Sequence, residues 1–108
     1  MRAITVLYDG RCALCLRCRK WMEGQPRMLE VEFLAAGSAE AARRFPTLVP
    51  PPGGRAEERI VISDEGGVYR AEAAYLMCLY ALRGYREWSF RLAHPSRRPL
   101  VRQAFAWL

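Results

Sequence analysis

The spacing of apolar and polar positions changes period several times along the chain, and each change marks an element. Ala3 to Tyr8 is an apolar run containing the β-branched residues Ile4, Thr5 and Val6, which predicts a buried strand. Asp9-Gly10 interrupts it, since Asp tolerates a turn and Gly can take a positive φ. The period then becomes helical. Leu14, Cys15, Cys18, Trp21 and Met22 share one face, while Arg17, Arg19, Lys20 and Glu23 point elsewhere. Gly24-Gln25-Pro26 ends this helix. From Met28 to Leu34 the period returns to two, with Leu29, Val31 and Phe33 set against Glu30 and Glu32, as in a second strand. Gly37-Ser38 supplies an N-cap for a short helix from Ala39 to Phe45.

Pro46 to Glu58 holds four of the seven prolines and two glycines, so it reads as a surface loop. Arg59 to Ser63 is a third strand, and Asp64-Glu65-Gly66-Gly67 is a hairpin turn into a fourth, Val68-Tyr69-Arg70. Ala71 to Leu82 is a strongly apolar helix carrying Cys78 and ending at Gly84. The order is a parallel βαβ unit, a further short helix, an antiparallel hairpin and a closing helix. It predicts an α/β fold with a central mixed β-sheet of about four strands flanked by helices, followed by a helical C-terminal extension.

Composition narrows the picture. A chain of 108 residues that is 52% hydrophobic predicts a single domain over residues 1–108, able to bury a core without disulfide staples. No apolar run reaches the roughly 18 residues of a membrane span. The short strand after Arg2 leads straight into the cysteines, without the longer apolar region of a signal peptide, so a cytoplasmic location is expected. Four cysteines are too few for a disulfide scaffold, and three of them, Cys12, Cys15 and Cys18, fall within seven positions. In a reducing compartment that clustering points to redox or metal chemistry.

The net charge of +6 is local: from Arg83 onward there are six arginines and a single acid, Glu87. Arginines interleave there with Tyr85, Trp88, Phe90, Phe105 and Trp107, a mixture that invites a nucleic-acid reading. We favour a packed segment instead, with Trp88, Leu92, Leu100, Phe105 and Leu108 as its apolar face and the arginines solvated. His94 stands alone and is assigned no role.

The candidate chemistry lies at the first strand–helix junction. Cys12 falls at or just before the first helical turn, where unpaired N–H groups and the helix dipole favour a thiolate. Arg11 adds a neighbouring positive charge. Cys15, three residues on, is close enough to close a ring with Cys12. Cys12 is therefore assigned as the attacking thiol and Cys15 as the resolving thiol of a redox-active disulfide. Asp9 either bonds the turn's N–H groups, relays a proton to Cys15 or simply forms the turn, and Gly10 is conformational. Two alternatives stand beside this one. The first is a non-catalytic binding or adaptor module. The second is a zinc or iron–sulfur site using Cys12, Cys15, Cys18 and Cys78. A ferredoxin-type run would need a cysteine where Met22 stands, and Cys78 lies in a core helix, so no metal and no cofactor are expected.

Tyr8-Asp9-Gly10-Arg11-Cys12-Ala13-Leu14-Cys15 resembles the Asp-Gly-x-Cys-x-x-Cys signature of the DCC family of thiol-disulfide oxidoreductase-like proteins. The resemblance extends more loosely through Asp64-Glu65-Gly66-Gly67 and the Ala-rich helix to Gly84-Tyr85-Arg86. It implies a thioredoxin-like fold and dithiol–disulfide exchange, acting on a disulfide-containing protein or a small thiol, without membrane or nucleic-acid partners. Such folds usually carry a cis-proline just before the third strand, facing the cysteines. Here Glu57-Glu58-Arg59 stands in that place.

Overall fold

The computed structural model describes residues 1–10, 12–50, 59–97, 99–101 and 103. Four strands, β1 (Ala3–Tyr8), β2 (Glu30–Ala35), β3 (Ile60–Ser63) and β4 (Val68–Arg70), form one open sheet in the order β2-β1-β3-β4. β1 runs parallel to β2, with Val6 opposite Phe33, and antiparallel to β3, with Leu7 opposite Ile60. β3 and β4 form the antiparallel hairpin, with Val61 opposite Tyr69. The helices are α1 (Ala13–Glu23), α2 (Ala39–Arg44), α3 (Glu72–Tyr80) and α4 (Arg86–Leu92). This is the expected mixed sheet flanked by helices, compatible with a thioredoxin-like fold.

The two central strands are covered on both faces, which is why β1 and β3 read as near-continuous apolar runs. Ile4, Val6 and Val61 face a core made with Cys18 and Met22 of α1, Ala74, Tyr75, Cys78 and Leu79 of α3, and Leu82. Leu7, Ile60 and Ile62 point the other way, to a smaller core with Ala36 and Ala41, closed by Phe45, Leu48 and Val49. β2 lies at an edge, and its period-two pattern reflects that exposure.

Local hydrogen bonds explain where element ends differ from the periodicity. β2 starts at Glu30 because the N–H groups of Met28 and Leu29 are taken by the Ala81 carbonyl, at 2.8 and 3.4 Å. α3 stops at Tyr80, and the Leu82 N–H then bonds Leu79 in a tighter turn. Ser38 caps α2 as expected, its Oγ accepting the Ala41 N–H at 3.2 Å. At the β3–β4 turn Gly66 has φ +89°, a conformation that disfavours any side chain.

The basic C-terminal region packs differently from its expected apolar face. Tyr85 stacks edge-on to Trp21, with ring centroids 4.9 Å apart, and Leu92 and Val101 reach the main core. Trp88 remains 51% exposed, because the inward side of α4 is taken by its N-cap Tyr85 and by Ser89 and Leu92, and Leu100, beyond α4, is 50% exposed. Phe105, Trp107 and Leu108 lie outside the described residues, as does the proline-rich loop from 51 to 58.

Candidate active site

Strand β1 delivers the chain to the C-terminal end of the sheet, and α1 begins there. Arg19 fastens this junction. Its guanidinium lies over the rings of Tyr8 and Phe33, 5.2 and 5.4 Å from their centroids, and its Nε pairs with Glu23 at 2.9 Å. Between strand and helix, the N–H of Cys12 donates to the Asp9 carbonyl at 3.1 Å. Gly10 turns the chain without a positive φ, and an added Cβ would rest at an ordinary 4.0 Å from the Ala35 Cβ. The conformational need expected of Gly10 is therefore not what shapes this turn. Arg11 lies outside the described residues.

Cys12 is the N-cap of α1, in an extended conformation with φ −91° and ψ 117°. Its carbonyl accepts the Leu16 N–H at 3.1 Å, and its Sγ accepts the Cys15 N–H at 3.4 Å. No acidic residue occupies the first turn, so the sulfur takes the place where a Ser or Asp cap would normally satisfy the helix start. Burial by itself would raise the Cys12 pKa. Hydrogen bonds from the Cys15 N–H, the Cys15 thiol and the Leu14 N–H outweigh it, and the thiol is held below the ordinary value. The charge of Asp9 pulls the other way. Asp9 thus contributes its carbonyl to the turn, while its carboxylate opposes ionisation of Cys12.

Cys15 is half-buried, and its thiol is pushed up, first by burial and then by its hydrogen bond with Cys12. Two groups work against that rise: the positive charge of the Arg59 guanidinium and the backbone of Asp9. Cys18 and Cys78 are fully buried in the main core, and burial raises both pKa values.

Arg59 is the residue that the sequence pattern did not single out for function. The pairing of Leu7 with Ile60 brings the start of β3 beside the end of β1, so the residue before β3 enters the cysteine site. Its side chain is only 5% exposed, with Nη1 4.0 Å from Cys78 Sγ and the guanidinium 5.0 Å from the Tyr75 ring centroid. An arginine opening the otherwise apolar run Ile60-Val61-Ile62 was the available signal. Among the described residues no three His, Cys, Asp or Glu side chains group to hold a metal ion. The thiol of Cys78 meets this guanidinium instead.

The open mixed sheet and the thiol capping its first helix fit the thioredoxin-like class. Within that class the chain belongs to the DCC1-like thiol-disulfide oxidoreductase family, whose family model matches residues 6–108, nearly the whole chain. No curated protein and no solved structure matches it.

Proposed function

We propose that the protein is a dithiol–disulfide oxidoreductase in which Cys12 is the nucleophile and Cys15 the resolving thiol. The observation that carries this reading is the helix cap itself. Cys12 Sγ accepts the Cys15 N–H, which lowers the pKa of the first thiol while α1 holds the second one turn away. The Cys12 thiolate attacks one sulfur of a substrate disulfide. The other sulfur leaves as a thiolate and takes a proton from water. Cys15 then attacks Cys12 Sγ, releasing the second substrate thiol and leaving a Cys12–Cys15 disulfide. An external thiol reductant restores the dithiol, and the same steps in reverse oxidise a substrate.

Asp9 and Gly10 lie in the turn that presents Cys12, and Arg11 is the neighbouring positive charge in this scheme. The substrate class is a disulfide-bearing protein or a small disulfide. A cytoplasmic setting belongs to the same reading and rests on the cysteine pattern. No described helix is long and apolar enough to cross a membrane. We assign the basic C-terminal region to packing on the domain and not to nucleic acid, because Tyr85, Leu92 and Val101 join the main core.

The test is to poise the protein in glutathione buffers of graded potential, quench with acid and measure mass. The expected result is a reversible loss of two hydrogens, mapped to Cys12 and Cys15 and abolished in Cys12→Ser and in Cys15→Ser. A wild type that never forms this disulfide would falsify the assignment.

A further inference from the structure

Strand β2 is the free edge of the sheet beside the cysteine turn. The Glu30 N–H donates to the Arg2 carbonyl at 3.0 Å, and the Ala36 N–H just beyond β2 donates to the Tyr8 carbonyl at 2.8 Å. Backbone groups alternate along a strand. Glu30, Glu32 and Leu34 therefore turn their N–H and C=O groups to β1, while Val31, Phe33 and Ala35 turn theirs outward. Among the described residues no strand lies beyond β2, and none of the residues of β2 is fully buried. The outward carbonyl of Ala35 is taken by the N–H and the hydroxyl of Ser38, at 3.0 and 2.7 Å. The other outward groups form an open template for a further strand. Its last residue, Ala35, meets the turn that leads into Cys12, since a Cβ built on Gly10 would lie 4.0 Å from that of Ala35. At the opposite end of β2 an open cleft of about 720 Å³ is lined by Arg2, Arg27, Met28, Leu29, Glu30 and Val31, with more positive than negative charge. The other edge strand, β4, is half as long and is separated from β1 by β3.

We propose that the substrate of Cys12 is an extended polypeptide segment that adds to the free edge of β2 as a further strand, with its disulfide cysteine at the Ala35 end and an acidic side chain in the Arg2–Arg27 cleft. This inference rests on the oxidoreductase reading above and narrows its substrate class from any disulfide to a polypeptide held by its main chain. The outward N–H and C=O groups are matched by another backbone in β geometry, of which a small disulfide such as oxidised glutathione supplies very little. A strand paired along the whole of β2 spans roughly 20 Å, at about 3.3 Å per residue, so the acid stands about six residues from the cysteine. Antiparallel pairing is the more stable arrangement, and it sets the acid on the C-terminal side of that cysteine. The net charge of +6 favours the same acidic partner. A second copy of the chain is a poorer occupant, because it would bring +6 against +6. Pairing also holds the substrate sulfur beside the Cys12 turn, so attack no longer waits on a free encounter.

The experiment mixes reduced wild-type protein with a synthetic peptide that has a cysteine near its N-terminus, apolar residues in alternation and a glutamate about six residues further on. The peptide cysteine is joined by a disulfide to thionitrobenzoate. The Cys12 thiolate attacks the peptide sulfur, the bond to thionitrobenzoate breaks, and that coloured thiolate leaves with the electron pair, so absorbance gives the rate. Glutathione joined to the same group is the small-disulfide comparison. Each rate is divided by the rate of the same probe with free mercaptoethanol, which removes intrinsic reactivity. The peptide is expected to react roughly tenfold faster than the glutathione probe, with a rate that saturates as protein is raised. Methylating the backbone nitrogens of one alternating set of peptide positions should remove that advantage, and methylating the other set should keep it, because an added strand turns every second N–H to β2. Glutamine in place of the peptide glutamate should slow the reaction about threefold at low salt. Ala35→Pro removes an outward N–H that β1 does not use, and should lower the peptide-to-glutathione rate ratio roughly tenfold. The methylated peptides meet wild-type protein, so they decide the question even where that variant does not fold. A peptide no faster than glutathione, or one slowed alike by methylation at every position, overturns the inference and leaves the oxidoreductase reading intact. A wild-type dimer in sedimentation that Ala35→Pro dissolves also overturns it, since the edge then belongs to a second copy. A wild type whose Cys12 releases thionitrobenzoate from neither probe removes the oxidoreductase reading and this inference with it.

Discussion

The backbone N–H of Cys15 points at the Sγ of Cys12 from 3.4 Å, so the residue carrying the second thiol also lowers the pKa of the first. The two cysteines are therefore unequal before any substrate arrives. Cys12 is expected to alkylate faster than Cys15, Cys18 or Cys78 near neutral pH, because the thiolate is the reactive form. Its rate is expected to rise with pH and level off below the ordinary thiol pKa of about 8.5. Brief iodoacetamide exposure at a series of pH values, followed by peptide mapping, measures this. Preferential labelling of Cys18 or Cys78 would reverse the role assignment.

Stability is expected to fall at alkaline pH. Cys15, Cys18 and Cys78 bind their protons more tightly in the fold than in the unfolded chain. Their contribution is complete below the unfolded thiol value of about 8.5 and is lost as pH climbs through the higher native values. Cys12 has the opposite sign: its contribution is present above the unfolded value and fades as pH falls through its lower native one. Melting curves of the reduced protein between about pH 8 and about pH 10 should show the decline. Cys78→Ala should flatten it, and a decline unchanged in that variant would count against the assignment.

Cys18→Ala and Cys78→Ala are expected to keep disulfide exchange. Both thiols are buried among apolar neighbours, and replacing a small buried sulfur costs about 1 kcal/mol. The cost should be the larger at Cys78, whose sulfur is also the contact of Arg59 Nη1. Denaturant melts give the stabilities, and glutathione equilibration gives the exchange. Loss of exchange in either variant would show that the inner thiols take part in it.

Leu82→Ala is expected to destabilise the protein by about 2–5 kcal/mol, since the side chain is fully buried in the turn after α3 and belongs to the main core. Trp88→Ala should stay within about 0.5 kcal/mol despite the larger side chain removed, because that ring stands half in solvent on α4. Urea titrations of the two variants decide the ranking. Equal losses would mean that Trp88 belongs to a buried contact.

The patterning of the chain alone determined the order of elements, the hairpin turn at Asp64-Glu65-Gly66-Gly67 and the placement of Cys12 at a helix start. These follow from local periodicity and turn chemistry, which involve neighbours a few residues apart. The apolar run of β1 likewise announced a buried strand. Tertiary structure alone decided which side of α4 faces inward. An arginine-rich helix with scattered aromatics offers more than one apolar stripe, and contact with Trp21 selected Tyr85 over Trp88. Gly10 illustrates the limit from the other side, since Asp-Gly permits a positive φ that the folded turn does not use. The meeting of Arg59 with Tyr75 and Cys78 was equally out of reach of local pattern. It arises because the antiparallel pairing of β1 with β3 and the return of α3 bring together groups as far apart in sequence as Arg59 and Cys78. Only that convergence takes a charged residue at the edge of an apolar strand out of water and sets it against a buried thiol.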